Sequence, residues 1–204
     1  TPSCYKLDLG GKQIRHNGYH ELAYLHPNYF HPDINVLKKA GLKKGERFFL
    51  LRFVSWGASH DVGRVGIKNK EDLIDFLLRY GRVLISSEKK LDNKLNKFVI
   101  SLSPKEIHHL LYYANIFIGE GATMASESAV LGTPAIYTNE LKLGYINELD
   151  HKYHLIFQNV NEFEIKKLIK KLLNIEKSEF SKKRGLMLKE KIDLTRWQVN
   201  EFEK

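Results

Sequence analysis

Short apolar runs that alternate with helix-periodic segments are the feature that most constrains the fold of this chain. The predicted strands are residues 47–55, 82–86, 97–101, 115–119, 134–138 and 154–158. The predicted helices between them are residues 33–42, 70–80, 103–114, 122–132 and 145–150. Most of the strands are continuous apolar runs, which is typical of strands buried on both faces of a sheet. The alternation therefore predicts an α/β fold with a doubly wound parallel sheet.

Several element ends carry their own signals. Ser103, Pro104 and Glu106 predict a helix start, with a cap residue, a proline at the first helical position and an acidic residue three positions after the cap. After the last strand the chain is predicted to be helical to its C-terminus, with a break near Gly185. Residues 1–32 are rich in His, Tyr, Asn and Pro, which predicts an irregular arm.

Composition limits the environment and the partners. The chain has 204 residues, of which 43% are hydrophobic, enough to fill a core. Cys4 is the single cysteine, so an intramolecular disulfide is excluded and a cytoplasmic location is predicted. No run of about 18 apolar residues is present, and the first residues lack the apolar segment of a signal peptide.

The net charge of +9 suits anionic partners. No nucleic-acid-binding signature accompanies it, so nucleic acid is not an expected partner. Many of the lysines follow residue 160 and predict a solvated helix surface. The same surface could contact an anionic membrane that presents a lipid-linked acceptor.

In doubly wound sheets, ligands bind beyond the carboxyl ends of the strands, which makes loops 55–63, 86–90 and 119–123 candidates for a site. In the third loop, Gly119 and Gly121 allow a turn, and the helix that follows offers free N–H groups to an anion such as a phosphate. Glu127 lies about one turn inside that helix, where it can accept hydrogen bonds from a ribose diol. The structural alternative is a glycine turn, tight packing of small residues and a glutamate that complements the helix dipole.

The loop after the first strand is the second candidate. Arg52 lies inside an apolar strand, so its charge is expected to be paired or to face a ligand. Ser55, His60 and Asp61 follow it. They are candidates for a ligand contact, an active-site imidazole and a carboxylate that orients a base or binds a metal. The alternative is a tight loop whose polar groups cap the next helix.

Other polar residues give weaker signals. Ser86, Ser87 and Glu88 close the second strand and could touch a ligand or form a turn. His108 and His109 are adjacent on a predicted helix and therefore point in different directions, which favours packing or surface roles over a metal pair. The histidines show no metal-binding spacing, and no metal site is predicted.

The segment "NIFIGEGATMASESAVLGTPAIY" (residues 115–137) resembles the nucleotide-sugar motif of GT-B glycosyltransferases. It is similar to the segment of the peptidoglycan enzyme that transfers N-acetylglucosamine from UDP to a lipid carrier. More loosely, it resembles the non-hydrolysing UDP-N-acetylglucosamine 2-epimerases. The resemblance implies that Gly121 and Ala122, with Thr123 in the same turn, contact the diphosphate and that Glu127 binds the ribose. It also implies that Leu102 and Ser103 lie near the base.

Two further implications concern chemistry. The loop that corresponds to residues 55–63 carries a functional histidine in the 2-epimerases, which implies an active-site role for His60. Glu120 departs from the motif, because these families commonly have a small hydroxyl residue there. A carboxylate beside a diphosphate repels it unless a metal such as Mg²⁺, a proton or a lysine intervenes. Glu120 therefore either points away or performs acid–base chemistry.

A longer resemblance covers roughly residues 1–200. The segments "YHELAYLHPNYF", "LLRFVSWGASHDVG", "LISSEKKL", "HHLLYYANIFIGEGATMASESAVLGTPAIY" and "LGYINELDHKYHLIF" resemble an archaeal and bacterial family, domain-of-unknown-function family 354. The resemblance implies the two Rossmann-like domains of GT-B enzymes and 2-epimerases, with this chain as the C-terminal half. The start at Thr1 agrees with this division. We then expect residues 1–32 to be an arm from a missing N-terminal domain, 33–190 the nucleotide-sugar-binding domain and 191–204 a C-terminal helix.

The first functional hypothesis is a GT-B-like glycosyltransferase in polysaccharide or surface-glycan synthesis. It would take a UDP-type nucleotide-sugar as substrate, with no tightly bound cofactor and with Mg²⁺ as an optional ion. The alternatives are a 2-epimerase-like enzyme and a non-catalytic module that binds a nucleotide or a glycan. The resemblance names no reaction, and the oligomeric state stays open.

Overall fold

The structure, a computed structural model, describes residues 1–53, 67, 69–87, 91–158 and 160–203. The strands in this part of the chain are β1 (Phe48–Arg52), β2 (Arg82–Ser86), β3 (Ile116–Gly119), β4 (Ala135–Tyr137) and β5 (Ile156–Phe157). The α-helices there are α1 (Leu22–Leu25), α2 (Asn35–Lys39), α3 (Lys70–Leu78), α4 (Asn93–Asn96), α5 (Pro104–Tyr113), α6 (Ala122–Leu131), α7 (Gly144–His151), α8 (Glu162–Leu173), α9 (Lys177–Glu190) and α10 (Leu194–Phe202).

The strands form one parallel sheet in the order β2-β1-β3-β4-β5. The predicted α/β fold with a doubly wound parallel sheet is confirmed. Phe49 and Leu50 of β1 are adjacent and both fully buried. Since successive side chains of a strand point to opposite faces, the sheet is covered on both faces. The continuous apolar runs follow from this double burial.

Helix boundaries agree with the local signals in two places. Ser103 accepts a hydrogen bond from the Glu106 N–H, and the Glu106 side chain reaches back to the Ser103 N–H, which completes the predicted capping box before α5. Helix α6 ends at Gly132, which has a left-handed backbone (φ 86°) that glycine adopts without steric cost. The helix packs closely on β3 and β4 because Ala125 and Ala129, both fully buried, allow a short approach.

The predicted strand at residues 97–101 is wrong. Residues 93–96 form α4, and the chain then turns through a hydrogen bond from Phe98 N–H to the Leu95 carbonyl. Val99 makes a single bridge to Ile85 of β2. One isolated bridge does not make a strand of the sheet.

The predicted break near Gly185 is also wrong. Gly185 lies inside α9, and the C-terminal helices are interrupted at residues 174–176 and 191–193 instead. A glycine inside a helix costs only about 1 kcal/mol relative to alanine, which the packing of α9 through Phe180 and Met187 offsets.

Residues 1–32, the N-terminal arm, are irregular apart from α1 and a short 3₁₀ helix, Gly10–Lys12. The arm is packed rather than extended. Tyr19, Leu22 and Leu25 are almost fully buried, and α1 contacts both α6 and α10. The arm therefore reaches the helix that starts at the carboxyl end of β3.

Candidate functional site

The carboxyl ends of three strands form one row across the sheet. Arg52, the last residue of β1, is in register with Ser86 of β2 and with Gly119 of β3. The strand order reverses between β1 and β3, and open α/β sheets bind ligands outside the carboxyl ends at such a switch point. The carboxyl ends of β1 and β3 therefore flank the expected ligand position.

Arg52 lies in the middle of this row, between Ser86 and Gly119. Its Nη1 donates a hydrogen bond of 3.0 Å to Oγ of the buried Ser86. Arg52 is half-buried, so its charge lies at the carboxyl ends of the strands rather than in the core. A guanidinium has five N–H donors, and the contact with Ser86 orients the group toward the carboxyl end of β2.

Helix α6 begins at the switch point. Gly121 is its N-cap residue and has no side chain that could cap the helix. Ala122 is half-buried and Thr123 is exposed. The first N–H groups and the positive end of the helix dipole therefore form a suitable environment for an anion. Gly121 has an extended backbone (φ −90°, ψ 123°), so the turn does not need glycine for its backbone angles.

Glu120, the residue that directly follows β3, is buried. The residue is 1% exposed, and its Oε1 accepts a hydrogen bond of 3.0 Å from the Ile67 N–H. Asn139 donates to the backbone carbonyl of Glu120 at 3.3 Å. The carboxylate thus ties the end of β3 to the main chain that leads into α3.

Glu127 occupies the second turn of α6, on the same face as Thr123. The residue is 7% exposed. Its Oε1 accepts a hydrogen bond of 2.8 Å from the Tyr24 hydroxyl and lies 3.0 Å from Nε2 of His108. The Tyr24 and His108 rings lie 5.5 Å apart. Burial, and next the Glu127 carboxylate, raise the pKa of Tyr24, so its hydroxyl stays protonated and donates.

A carboxylate of the N-terminal arm, Glu21, contacts Ser126, the residue of α6 that precedes Glu127. The Ser126 hydroxyl donates to Oε1 of Glu21, and both side chains are buried. Burial raises the pKa of the Glu21 carboxyl above its ordinary value, although the hydrogen bond from Ser126 opposes the shift. Ser126 and Glu127, two successive residues of α6, therefore bind Glu21 and Tyr24, which lie about one helical turn apart in the arm.

The residues predicted to lie near the base have mixed environments. Ser103 uses its hydroxyl in the capping box with Glu106, and Leu102 is half-buried against the core. A hydrogen bond from Lys39, followed by those from Ser103, lowers the pKa of Glu106 to about 2. The hydroxyl and the N–H of Ser103 are thus both used in the capping box, and its carbonyl accepts from the Ile107 N–H, so Ser103 has little left to offer a ligand.

The remaining predicted residues have separate outcomes. Ser55, His60, Asp61 and Glu88 lie outside the described residues. His108 and His109 do point in different directions: His109 stacks on Phe30 and accepts a hydrogen bond from the Asp33 N–H, whereas His108 reaches Glu127. Within the described ranges, no group of three His, Cys, Asp or Glu side chains is arranged to hold a metal ion.

Sequence reasoning missed Glu21, Tyr24 and His108 as neighbours of the predicted ribose-binding glutamate. The spacing of Glu21 and Tyr24 fits one helical turn, which is a local signal. Nothing in that spacing indicates α6 as the surface they contact, because 103 residues separate Tyr24 from Glu127.

A cavity of about 210 Å³ lies at the opposite end of the sheet. Its lining includes Arg47, Asn115 and Pro134, which directly precede β1, β3 and β4, and residues between α8 and α9. Ligands of doubly wound sheets bind at the carboxyl ends of the strands. The geometry of the switch point therefore identifies the site better than the size of this cavity.

None of the helices in the described ranges is long and apolar enough to cross a membrane. No curated protein sequence matches the chain. Solved structures with a similar fold are GT-B glycosyltransferases.

Three of these structures illustrate the similarity. Os79 from O. sativa in complex with U2F and trichothecene has a TM-score of 0.53 and 16% identity, over 81% of this chain and 41% of that one. Glycosyltransferase SsfS6 of Streptomyces sp. SF2575, complexed with thymidine diphosphate, has a TM-score of 0.53 and 10% identity, over 83% and 45%. The wall teichoic acid polymerase TagF has a TM-score of 0.52 and 11% identity, over 82% and 46%.

These identities show a shared fold, and this chain spans less than half the length of each structure. The fold of the chain is therefore the Rossmann-like fold found in GT-B glycosyltransferases. A closer relation comes from the sequence family. Residues 5–204 match the family described as "Protein of unknown function (DUF354)", and the chain belongs to that family.

Proposed function

We propose that the chain is the nucleotide-sugar-binding half of a GT-B-like glycosyltransferase that acts in polysaccharide or surface-glycan synthesis. The observation that carries the proposal is the position of Glu127, a buried carboxylate one turn inside α6 at the switch point of the sheet. The substrate is a UDP-type nucleotide-sugar. The residues that bind the acceptor would lie in another part of the whole protein.

The first two turns of α6 match the layout of a nucleoside diphosphate. The N–H groups of Ala122 and Thr123 in the first turn of α6, next to Gly121, would hold the diphosphate. Glu127 follows Thr123 by four residues on the same face, a rise of about 6 Å, which one nucleotide spans between its phosphates and its ribose. A carboxylate accepts hydrogen bonds only, which suits a ribose diol.

Two of the structural neighbours support a nucleoside diphosphate as part of the ligand. Os79 was crystallised with UDP, and SsfS6 with thymidine diphosphate. The site of this chain adds the half-buried guanidinium of Arg52 at the adjacent strand end. That charge, the dipole of α6 or Mg²⁺ would balance a diphosphate.

For the chemical step we propose three groups: Glu120, which directly follows β3, and His60 and Asp61, which follow β1 in the sequence. Glu120 binds the main chain at Ile67, six residues after Asp61 in sequence. The contact also gives Glu120 a structural role, so its substitution affects stability as well as chemistry.

The proposal is tested by calorimetric titration of UDP, UDP-N-acetylglucosamine, CDP, GDP and ADP, with and without Mg²⁺. We expect saturable binding of a UDP compound. Glu127→Gln should weaken it by about 1–3 kcal/mol, because a charge-assisted hydrogen bond to the ribose is lost. Glu179→Gln, on the exposed surface of α9, is the matched control and should leave affinity unchanged. Absence of UDP binding to the whole protein would contradict the proposal.

Product analysis on the whole protein separates the alternatives. A transferase consumes donor sugar only with an acceptor, whereas a 2-epimerase-like enzyme converts its nucleotide-sugar alone. A binding module retains affinity and turns over nothing. The cytoplasmic location and a contact of the lysine-rich helices with a membrane stay predictions.

A further inference from the structure

The two carboxylate oxygens of Glu127 have different environments. Oε1 receives the Tyr24 hydroxyl at 2.8 Å and lies 3.0 Å from Nε2 of His108. Among the residues that the structure describes, no donor lies within hydrogen-bond distance of Oε2. A carboxylate oxygen has two lone pairs, so the protein saturates Oε1. A ligand that binds Glu127 therefore binds at Oε2.

The donors to Oε1 come from two elements that flank α6. Tyr24 belongs to α1 in the N-terminal arm, and His108 lies in the second turn of α5. The hydrogen bond between Ser126 and Glu21 fixes α1 against α6 one residue before Glu127. The carboxylate is therefore held from both sides and loses little conformational freedom when a ligand binds.

A purely structural role explains this arrangement poorly. A neutral glutamine would join α1 and α5 to α6 through the same carbonyl oxygen. Oε2 of Glu127 receives no hydrogen bond from the described residues, yet it is not among their buried unpaired atoms, so it reaches the surface. A hydroxyl group of a ligand can therefore approach Oε2.

We propose that Tyr24 and His108 are positioning residues that hold Glu127 so that Oε2 accepts a hydrogen bond from a ribose hydroxyl. The inference rests on the function proposed above and deepens it. It assigns to the N-terminal arm a part in choosing ribonucleotides over deoxyribonucleotides. Tyr24 donates through its hydroxyl and His108 through Nε2–H, and neither touches the ribose.

The test is calorimetry with UDP, 2′-deoxy-UDP and 3′-deoxy-UDP on the full chain. The wild-type protein should bind UDP about tenfold or more tightly than at least one deoxy analogue, since that analogue lacks a charge-assisted hydrogen bond. In Tyr24→Phe and His108→Gln this preference should fall by about threefold or more, while affinity for that deoxy analogue changes by about twofold or less.

Matched controls lie close by in the chain. Tyr29→Phe removes another arm hydroxyl, which binds Asp193 instead, and His109→Gln alters the histidine that stacks on Phe30. Both should keep the wild-type preference. Thermal unfolding of each variant identifies general loss of structure, which would lower affinity for all three nucleotides equally.

The outcomes separate the two proposals. If the wild-type protein binds none of the three nucleotides, the proposed function fails and this inference fails with it. If UDP binds with a ribose preference that Tyr24→Phe and His108→Gln leave intact, only the positioning role is overturned. An equal loss of affinity for all three nucleotides in both variants also overturns it, because that pattern describes a structural contact.

Discussion

Lys191 is the buried charge that joins the N-terminal arm to the C-terminal part of the chain. Its side chain is 4% exposed, and Nζ lies 2.8 Å from Oε1 of Glu148 and 2.9 Å from Oδ1 of Asn17. The ring of Tyr19 lies 4.7 Å from Nζ, and the Tyr19 hydroxyl donates to Oε2 of Glu148. The network thus links the arm, α7 and the segment before α10.

The substitution Lys191→Met keeps most of the side-chain volume and removes the charge. It leaves Oδ1 of Asn17 and Oε1 of Glu148 without their donor. Removing one partner of a buried ion pair costs about 3–5 kcal/mol. The Glu148 side chain is 22% exposed, so water replaces part of the lost interaction. We therefore expect the free energy of unfolding to fall by about 2–4 kcal/mol.

Urea unfolding followed by circular dichroism measures this loss. The comparison requires that the slope of the free energy of unfolding against urea concentration be the same in the variant and the wild-type protein. Lys182→Met is the matched control, because Lys182 pairs with Glu179 at the surface, where the two side chains are 71% and 49% exposed. That variant should lose about 0.5 kcal/mol or less. The double variant Lys191→Met with Glu148→Gln should lose less than the sum of the single losses, by about 1–3 kcal/mol. A loss in Lys191→Met no larger than that in Lys182→Met would refute the argument.

Three other expectations use the same assay. Gly185→Ala should raise stability by about 0.5–1 kcal/mol, because Gly185 lies inside α9 and an added Cβ would meet no atom within 4 Å. Gly144→Ala should lower stability by about 1–3 kcal/mol, because its Cβ would overlap the backbone oxygen of Cys4. Burial, and next the N-terminal charge, lower the pKa of His16 to about 4. On acidification, the imidazole of His16 therefore binds a proton at a higher pH in the unfolded chain than in the folded chain. The free energy of unfolding should fall by up to about 3 kcal/mol as the pH drops from about 6.5 to 4. His16→Gln should reduce this pH dependence.

The sheet is predictable from the sequence because each strand is a local apolar run between turn residues. Strand β2 spans Arg82–Ser86, as its pattern predicts, and β1, β3, β4 and β5 lie within their predicted ranges. The run at 97–101 fails because a strand also needs a partner along its length. Val99 finds one at Ile85 only, and the pattern of a short apolar run does not contain that information.

The position of Glu127 near the start of α6 is likewise predictable, because one turn of helix relates it to the glycines before the helix. Its partners are not. The sequence predicts a packing or surface role for His108. Its contact with Glu127 requires that α5 lie beside α6. Tyr24 reads as part of a linker, and its contact requires that the arm fold back across the domain. Both depend on tertiary packing, which local spacing does not specify.

The N-terminal arm is joined to the candidate site by hydrogen bonds. Ser126 and Glu127 of α6 bind Glu21 and Tyr24 of the arm, and the far side of the arm is held by Lys191. Displacement of α1 would therefore release one of the donors that orient Glu127. By linkage, a ligand that binds the oriented carboxylate stabilises the docked arm by the same free energy that the docked arm contributes to binding. Movement of the arm thus has a direct physical route to the candidate site through Tyr24.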